Sequence, residues 1–354
     1  MMFPDMTKAD VAARLQSAVA AGVIDADTSA RLLPFLDESQ STDNVAASAD
    51  EEQLRLITGF NDIFVTIGLG LFLGALFYLM SGWGVAIAPL SVAVASWLLA
   101  EFFTGKKRMA LPSIVLLLSF TSSVFATILL FSTSDAPSGM GGWLEGNQLK
   151  LSIAALTAAA AAAAHWFRFA VPITVAAGMA ALAILMLSIV TSLFPDLIES
   201  YPVLVFLPIG LAVFATAMWF DMSDQARKTR RTDVAFWLHL LAAPIIVHPV
   251  VMGLTASDQS TSSDSATIIA VFLVLCLVAL VVDRRALLVS SLGYLAYAAY
   301  TIVAGAGWSA SASAIAALAV GAIVLLLSAA WRPLRKVAVT TMPLAIRQRV
   351  PSVS

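Results

Sequence analysis

Two histidines and two prolines share one apolar stretch, Asp233 to Pro249, which reads DVAFWLHLLAAPIIVHP. His239 and His248 are two of only three histidines in the chain, and histidine is the side chain whose ordinary pKa lets it exchange a proton near neutral pH. Ionisable groups are costly at membrane depth, and where they occur they mark ion or proton pathways by default. Pro244 and Pro249 remove backbone donors and are expected to kink the segment, which helix bundles tolerate when neighbours or water take up the freed carbonyls. Counting 1.5 Å per residue from Val234, His239 lies roughly 8 Å and His248 roughly 20 Å along the segment. Nine residues apart on an unbroken helix, they point to opposite faces, so a shared metal site is not expected. The plainer role for each is a packing histidine bonded to a neighbour.

Two carboxylates also fall within apolar runs. Asp62 lies about one turn into the first and Glu101 near the end of the second; a half-desolvated carboxylate there can titrate near neutral pH and carry a proton. Glu101 has an alternative in ion pairing with Lys106, Lys107 or Arg108, whereas Asp62 has only Arg55 close in sequence. The triplet Asp283-Arg284-Arg285 reads as a tight turn with local charge compensation. Tyr294, Tyr297 and Tyr300 form a hydroxyl-bearing stripe suited to packing or interfacial anchoring. The glycine-rich, P-loop, H-E-x-x-H, C-x-x-C and G-x-S-x-G signatures are absent, and the single cysteine, Cys276, builds neither a disulfide framework nor a thiolate metal site. No cofactor or metal is expected. An intramembrane hydrolase or transferase would need His239 or His248 beside an acid and a serine, and no spacing supports that arrangement.

The elements that must hold these groups follow from composition. The 354 residues are 60% hydrophobic and 12% charged, with a mean hydropathy of +0.91, against roughly 25% charged in soluble domains. The chain is expected to be an all-α polytopic membrane helical bundle. Ten apolar runs, at 57–80, 83–103, 111–131, 149–167, 170–193, 201–220, 234–254, 266–282, 286–304 and 308–331, are each long enough to cross a bilayer, the eighth only just. Basic residues test that count. With the N-terminus inside, nineteen of the twenty lysines and arginines fall on inner segments, leaving Lys150 outside. Ten transmembrane helices with both termini cytoplasmic are therefore expected.

Residues 1–38 read as a cytoplasmic helical hairpin: Thr7 and Asp10 form a capping box, Gly22 stops the first helix and Asp25 caps the second. Residues 39–56 are an acidic flexible linker, and 332–354 a basic tail whose Arg332, Arg335 and Lys336 are expected to contact anionic lipid. Small residues at Gly70 and Gly74, along the Ala158–Ala164 run, and around Gly321 are expected to let helices approach closely. The tryptophans near helix ends, Trp331 among them, are expected at the membrane interface.

The blocks AARLQSAVAAGVIDADTSARLLPFL, FNDIFVTIGL, DVAFWLHLLAAPIIVHP and DRRALLVSSLGYLAYA resemble a bacterial domain-of-unknown-function family of membrane proteins with an N-terminal helical pair. That resemblance implies a bacterial inner-membrane protein and carries no catalytic residue with it. Division into halves, 57–193 and 201–331, would be an inverted five-plus-five repeat resembling the drug and metabolite transporter architecture. Two functions follow as expectations. One is a secondary transporter of a small solute, with Asp62, His239 and His248 as proton or substrate groups. The other is a non-catalytic scaffold, sensor or assembly factor whose N-terminal hairpin binds a protein partner. Nucleic acid is not an expected partner.

Overall fold

The computed structural model describes residues 15–29, 32, 60–131, 148–224, 227, 229–255, 262–347 and 350. The expected linker and the Thr7–Asp10 capping box lie outside them. The chain forms two units, Met1–Gln53 and Leu54–Ser354. In the first, residues 15–20 and 26–29 are helical. Gly22, at a φ of +70°, takes the left-handed conformation open to glycine, and the Val23 N–H reaches back 3.0 Å to the Ala18 carbonyl, closing the first helix. Asp25 opens the second by accepting the Thr28 backbone N–H at 2.7 Å. The Thr28 hydroxyl and that N–H together hold its carboxyl below the usual carboxylate range.

The second unit is all-α, with no strand among the described residues. Its helices are α1 Phe60–Ser81, α2 Ile87–Ala100, α3 Ala110–Leu130, α4 Gln148–Phe169, α5 Ile173–Leu193, α6 Pro202–Ser223, α7 Arg230–Thr255, α8 Ser262–Val282, α9 Ala286–Gly305, α10 Ala312–Ala329 and α11 Trp331–Thr340. A π-helical turn, Glu101–Lys106, extends α2. Among the described residues nine helices are long and apolar enough to cross a membrane; the apolar part of α8, Ala266–Val282, is shorter. Its first turn is polar, SSDS. The molecule is an integral membrane protein, and each expected apolar run contains one long helix among the described residues. α7 continues as helix through both Pro244 and Pro249.

Packing is serial. The odd-numbered helices form a row in which α1 touches α3, α3 touches α5, α5 touches α7 and α7 touches α9; α2, α4, α6 and α8 each contact the odd-numbered helices before and after them, and α10 rests on α9. The α5–α7 contact crosses the point, between residues 193 and 201, where two halves were expected to meet. The cores follow the row. Leu69, Leu73, Val92 and Leu116 join α1 to α3, Val213, Ala217, Val234 and Leu238 join α6 to α7, and Val247, Phe272, Leu287 and Leu295 join α7, α8 and α9 beneath Trp331.

The connections at one end of the bundle share a device. Arg108, Ala170, Arg227 and Asp283, which follow α2, α4, α6 and α8, all have positive φ, between 51° and 59°. Met109 N–H bonds the Phe103 carbonyl and Arg284 N–H the Ala279 carbonyl, the long reach-back that closes a helix against a left-handed residue. Such stops keep the turns short and set consecutive helices side by side. They also gather Arg227, Arg284 and Arg285 at this end, hereafter the arginine-bearing end.

The small-residue faces divide. A Cβ on Gly178 of α5 would sit 3.6 Å from the Ala162 Cβ of α4, and Ala154, Ala155, Ala158 and Ala162 are buried, so the alanine run is a close-packing face as expected. Gly70, Gly74 and Gly321 are not, because no described atom lies within 4 Å of where their Cβ would be. They belong to α1 and α10, the two ends of the row. The glycine under pressure is Gly210 of α6, where a Cβ would lie 2.6 Å from Ile246 Cγ1 and 3.2 Å from the Ile246 backbone nitrogen of α7. Gly210→Val is expected to push α6 from α7 and cost about 1–3 kcal/mol, read as a lower thermal midpoint of the detergent-purified protein. Adding Ile246→Ala removes the closest clash and leaves the Ile246 backbone nitrogen and Ile245 Cγ2, at 3.2 and 3.3 Å, in place, so only part of the loss should return.

Candidate functional site

Three ionisable side chains meet at the arginine-bearing end, brought there by the α6–α7 hairpin and the α8–α9 turn. Asp221 is in the last turn of α6, His239 in the middle of α7 and Arg284 in the turn; their exposures are 6%, 0% and 1%. His239 Nε2 lies 2.8 Å from Asp221 Oδ2, and since a carboxylate only accepts, the shared proton belongs to Nε2. Arg284 grips the same carboxylate with both arms of its fork, Nη2 to Oδ1 and Nε to Oδ2 at 3.3 Å. Its Nη2 also donates to the Thr232 carbonyl at 3.2 Å. Phe214 packs across the imidazole with ring centroids 5.3 Å apart. His239 Nδ1 has no hydrogen-bond partner among the described residues.

A second carboxylate lies one residue from Arg284 and organises the adjoining segments. Asp283 Oδ2 accepts from Arg227 Nη1 at 2.8 Å, and Oδ1 accepts from the Trp331 indole N–H at 2.9 Å. Arg335 Nε stands 3.4 Å from the same Oδ1. Arg227 also donates from Nη2 to the carbonyls of Val282, at 3.2 Å, and Asp283, at 3.1 Å. Beside this cluster Asp224 Oδ2 receives the Thr229 N–H, the Thr229 hydroxyl and the Thr232 hydroxyl at 2.8, 2.6 and 3.1 Å, which staples the α6–α7 turn. Two buried carboxylates thus hold three guanidinium groups, and the low local dielectric makes each of these contacts stronger than at a surface.

The residues singled out by sequence are dispersed. His239 enters this cluster and His248 does not: His248 is exposed and its Nδ1 meets the Tyr294 hydroxyl of α9, so the two imidazoles serve different faces of α7 as their spacing implied. Asp62 is buried on the α1 face that also carries Leu69 and Leu73. Glu101 pairs with Arg168 of α4 rather than with the lysines after it; Nε donates to Oε1 at 3.0 Å and Nη2 to Oε2 at 2.5 Å. That pair is largely exposed and stabilises by about 0–1 kcal/mol. Asp283 and Arg284 do not compensate each other locally, since each is claimed by another segment. Arg335, expected on lipid, is 2% exposed beside Asp283, and Trp331, expected at the interface, is 3% exposed under it; Arg332 and Lys336 are exposed. The third histidine, His165 of α4, is enclosed by Trp97, Phe120 and Phe169, with Nδ1 3.4 Å from the Thr174 hydroxyl.

Asp221 was not anticipated. It falls one residue beyond the apolar run 201–220 and reads as a helix-end charge, two residues from the end of α6, while His239 is nine residues into α7, so spacing along the chain does not single out the pair. Compared with known proteins, the chain matches no family model, no curated protein and no solved structure.

Proposed function

We propose that this integral membrane protein is a non-catalytic scaffold or sensor of the bacterial inner membrane, with its arginine-bearing end and both termini on the cytoplasmic side. The observation that carries this reading is the convergence on Asp283 of Arg227, Trp331 and Arg335, which ties the α6–α7 loop, the α8–α9 turn and α11 into one buried charged joint. A joint of that kind transmits a shift of α7 or α8 to α11, because a packed, bonded network has few alternative arrangements. In this reading residues 1–38 hold the protein partner, and the resemblance to bacterial membrane proteins with an N-terminal helical pair points the same way. The second reading, a secondary transporter, is favoured by one feature: the Asp221–His239 pair, whose histidine is on the helix that touches α5, α6, α8 and α9, an acid and a base positioned to pass a proton.

Water access separates the two. Ala242, one turn from His239 on α7, is fully buried. In a Cys276→Ala background, Ala242→Cys should resist a membrane-impermeant thiol reagent applied to either face of sealed vesicles. Reaction from one face would mean that a solvated state opens beside His239, which sinks the scaffold reading in favour of transport.

A further inference from the structure

We infer that the cleft between α9 and α10 is a binding site for one anionic phospholipid. The cleft, of about 190 Å³, is lined by Leu288 and Val289 of α9, Ile323 and Leu327 of α10, Arg285 and Trp331. Its polar members, Arg285 and Ser328, lie together at the Trp331 end, and the rest of the wall is apolar. Leu292 is seven residues beyond Arg285 and Ile323 eight before Trp331, so the apolar wall runs roughly 10–12 Å along the helices. That is the layout of one leaflet of lipid: a charged headgroup level, then hydrocarbon.

The charged end is built. The Arg285 guanidinium is exposed and stands 5.0 Å from the centre of the Trp331 ring, while the Trp331 N–H is bound to Asp283. The indole is therefore fixed edge-on to the buried cluster and presents its face to the arginine, which leaves guanidinium donors directed to a phosphate. A zwitterionic lipid would fill the same wall but bring an ammonium toward Arg285, so an anionic headgroup fits better. Basic pockets between membrane helices recognise lipid headgroups by this charge match. The site is separate from the exposed cations of α11, and it stands independently of the scaffold reading.

The test uses the full chain in phosphatidylcholine bilayers doped with acyl-brominated phosphatidylglycerol or acyl-brominated phosphatidylcholine, with tryptophan quenching as the readout. The other tryptophans give a background common to all variants. The unaltered protein should be quenched preferentially by the anionic lipid. Arg285→Gln should lower that preference about fivefold, as expected for one cation at a headgroup, and Arg285→Lys should keep it. Val289→Phe should reduce quenching of the site by both lipids, and Lys336→Gln should change nothing. Thermal midpoints equal to that of the unaltered protein confirm folding of each variant. Loss of the preference in Lys336→Gln with its retention in Arg285→Gln would assign the effect to a diffuse basic surface and overturn the proposal, as would equal quenching by both lipids in the unaltered protein.

Discussion

Asp221→Ala is expected to lower stability by about 3–5 kcal/mol, the usual result of removing one partner from a buried ion pair. The cost arises from what is left behind. Arg284, 1% exposed, keeps its charge but loses the carboxylate that both arms of its guanidinium grip, and the His239 Nε2 proton loses its acceptor. Unfolding in detergent, followed by intrinsic tryptophan fluorescence, should show a fall in midpoint larger than for any surface carboxylate. A double variant decides whether the loss comes from the charge that has lost its carboxylate. Asp221→Leu with Arg284→Met replaces both ions with apolar groups of similar bulk, and buried pairs treated in this way often recover stability. The double variant should therefore be more stable than Asp221→Ala alone. If instead the two changes add, the Asp221–Arg284 contact contributes no coupling and the buried cluster is not what holds this end together.

The sequence made the helices legible and left their contacts open, and the reason differs from residue to residue. Ten apolar runs mapped onto ten helices because run length and charge placement are properties of each segment alone. The packing order is not such a property. Gly70 and Gly74 permit a close neighbour without summoning one, so the same small-xxx-small spacing is bare on α1 while an isolated glycine, Gly210, carries the tightest contact. Charge behaved likewise. The tail segment WRPLRKVAVT is amphipathic in either orientation relative to the membrane surface, and which basic residue turns inward is decided by Asp283, some fifty positions earlier. His239 was found because a histidine inside an apolar run is anomalous by itself; Asp221 was overlooked because an aspartate at a helix end is ordinary until its partner is known. The left-handed stops at Arg108, Ala170 and Arg227 gave no warning either, since none is a glycine or an asparagine.

Asp283→Ala should produce the other large effect, and one that Asp221→Ala should not share. Asp283 is the only group bonded by donors from both the α6–α7 loop and α11 among the contacts described above, so its loss takes the shared carboxylate from Arg227 and Arg335 together and unties the Trp331 indole. Removal of a carboxylate from two buried cations again costs about 3–5 kcal/mol, but here the damage should be directional. α11 is held to the bundle through Trp331, Arg335, Ala338 and Val339, its buried face. Beyond Trp331 at its first position, the apolar members of that face are the small Ala338 and Val339, and a ten-residue helix depends on tertiary contacts to hold it. In a Cys276→Ala background, Val339→Cys should be protected from an aqueous thiol reagent while Asp283 is present and should react readily in Asp283→Ala, with α1 to α5 still folded. Asp283→Asn offers a graded case: its amide oxygen can still accept the indole N–H, so labelling should fall between the two. Protection of Val339→Cys unchanged by Asp283→Ala would show that α11 is held by its apolar face alone, and the joint on which the scaffold reading depends would then transmit nothing.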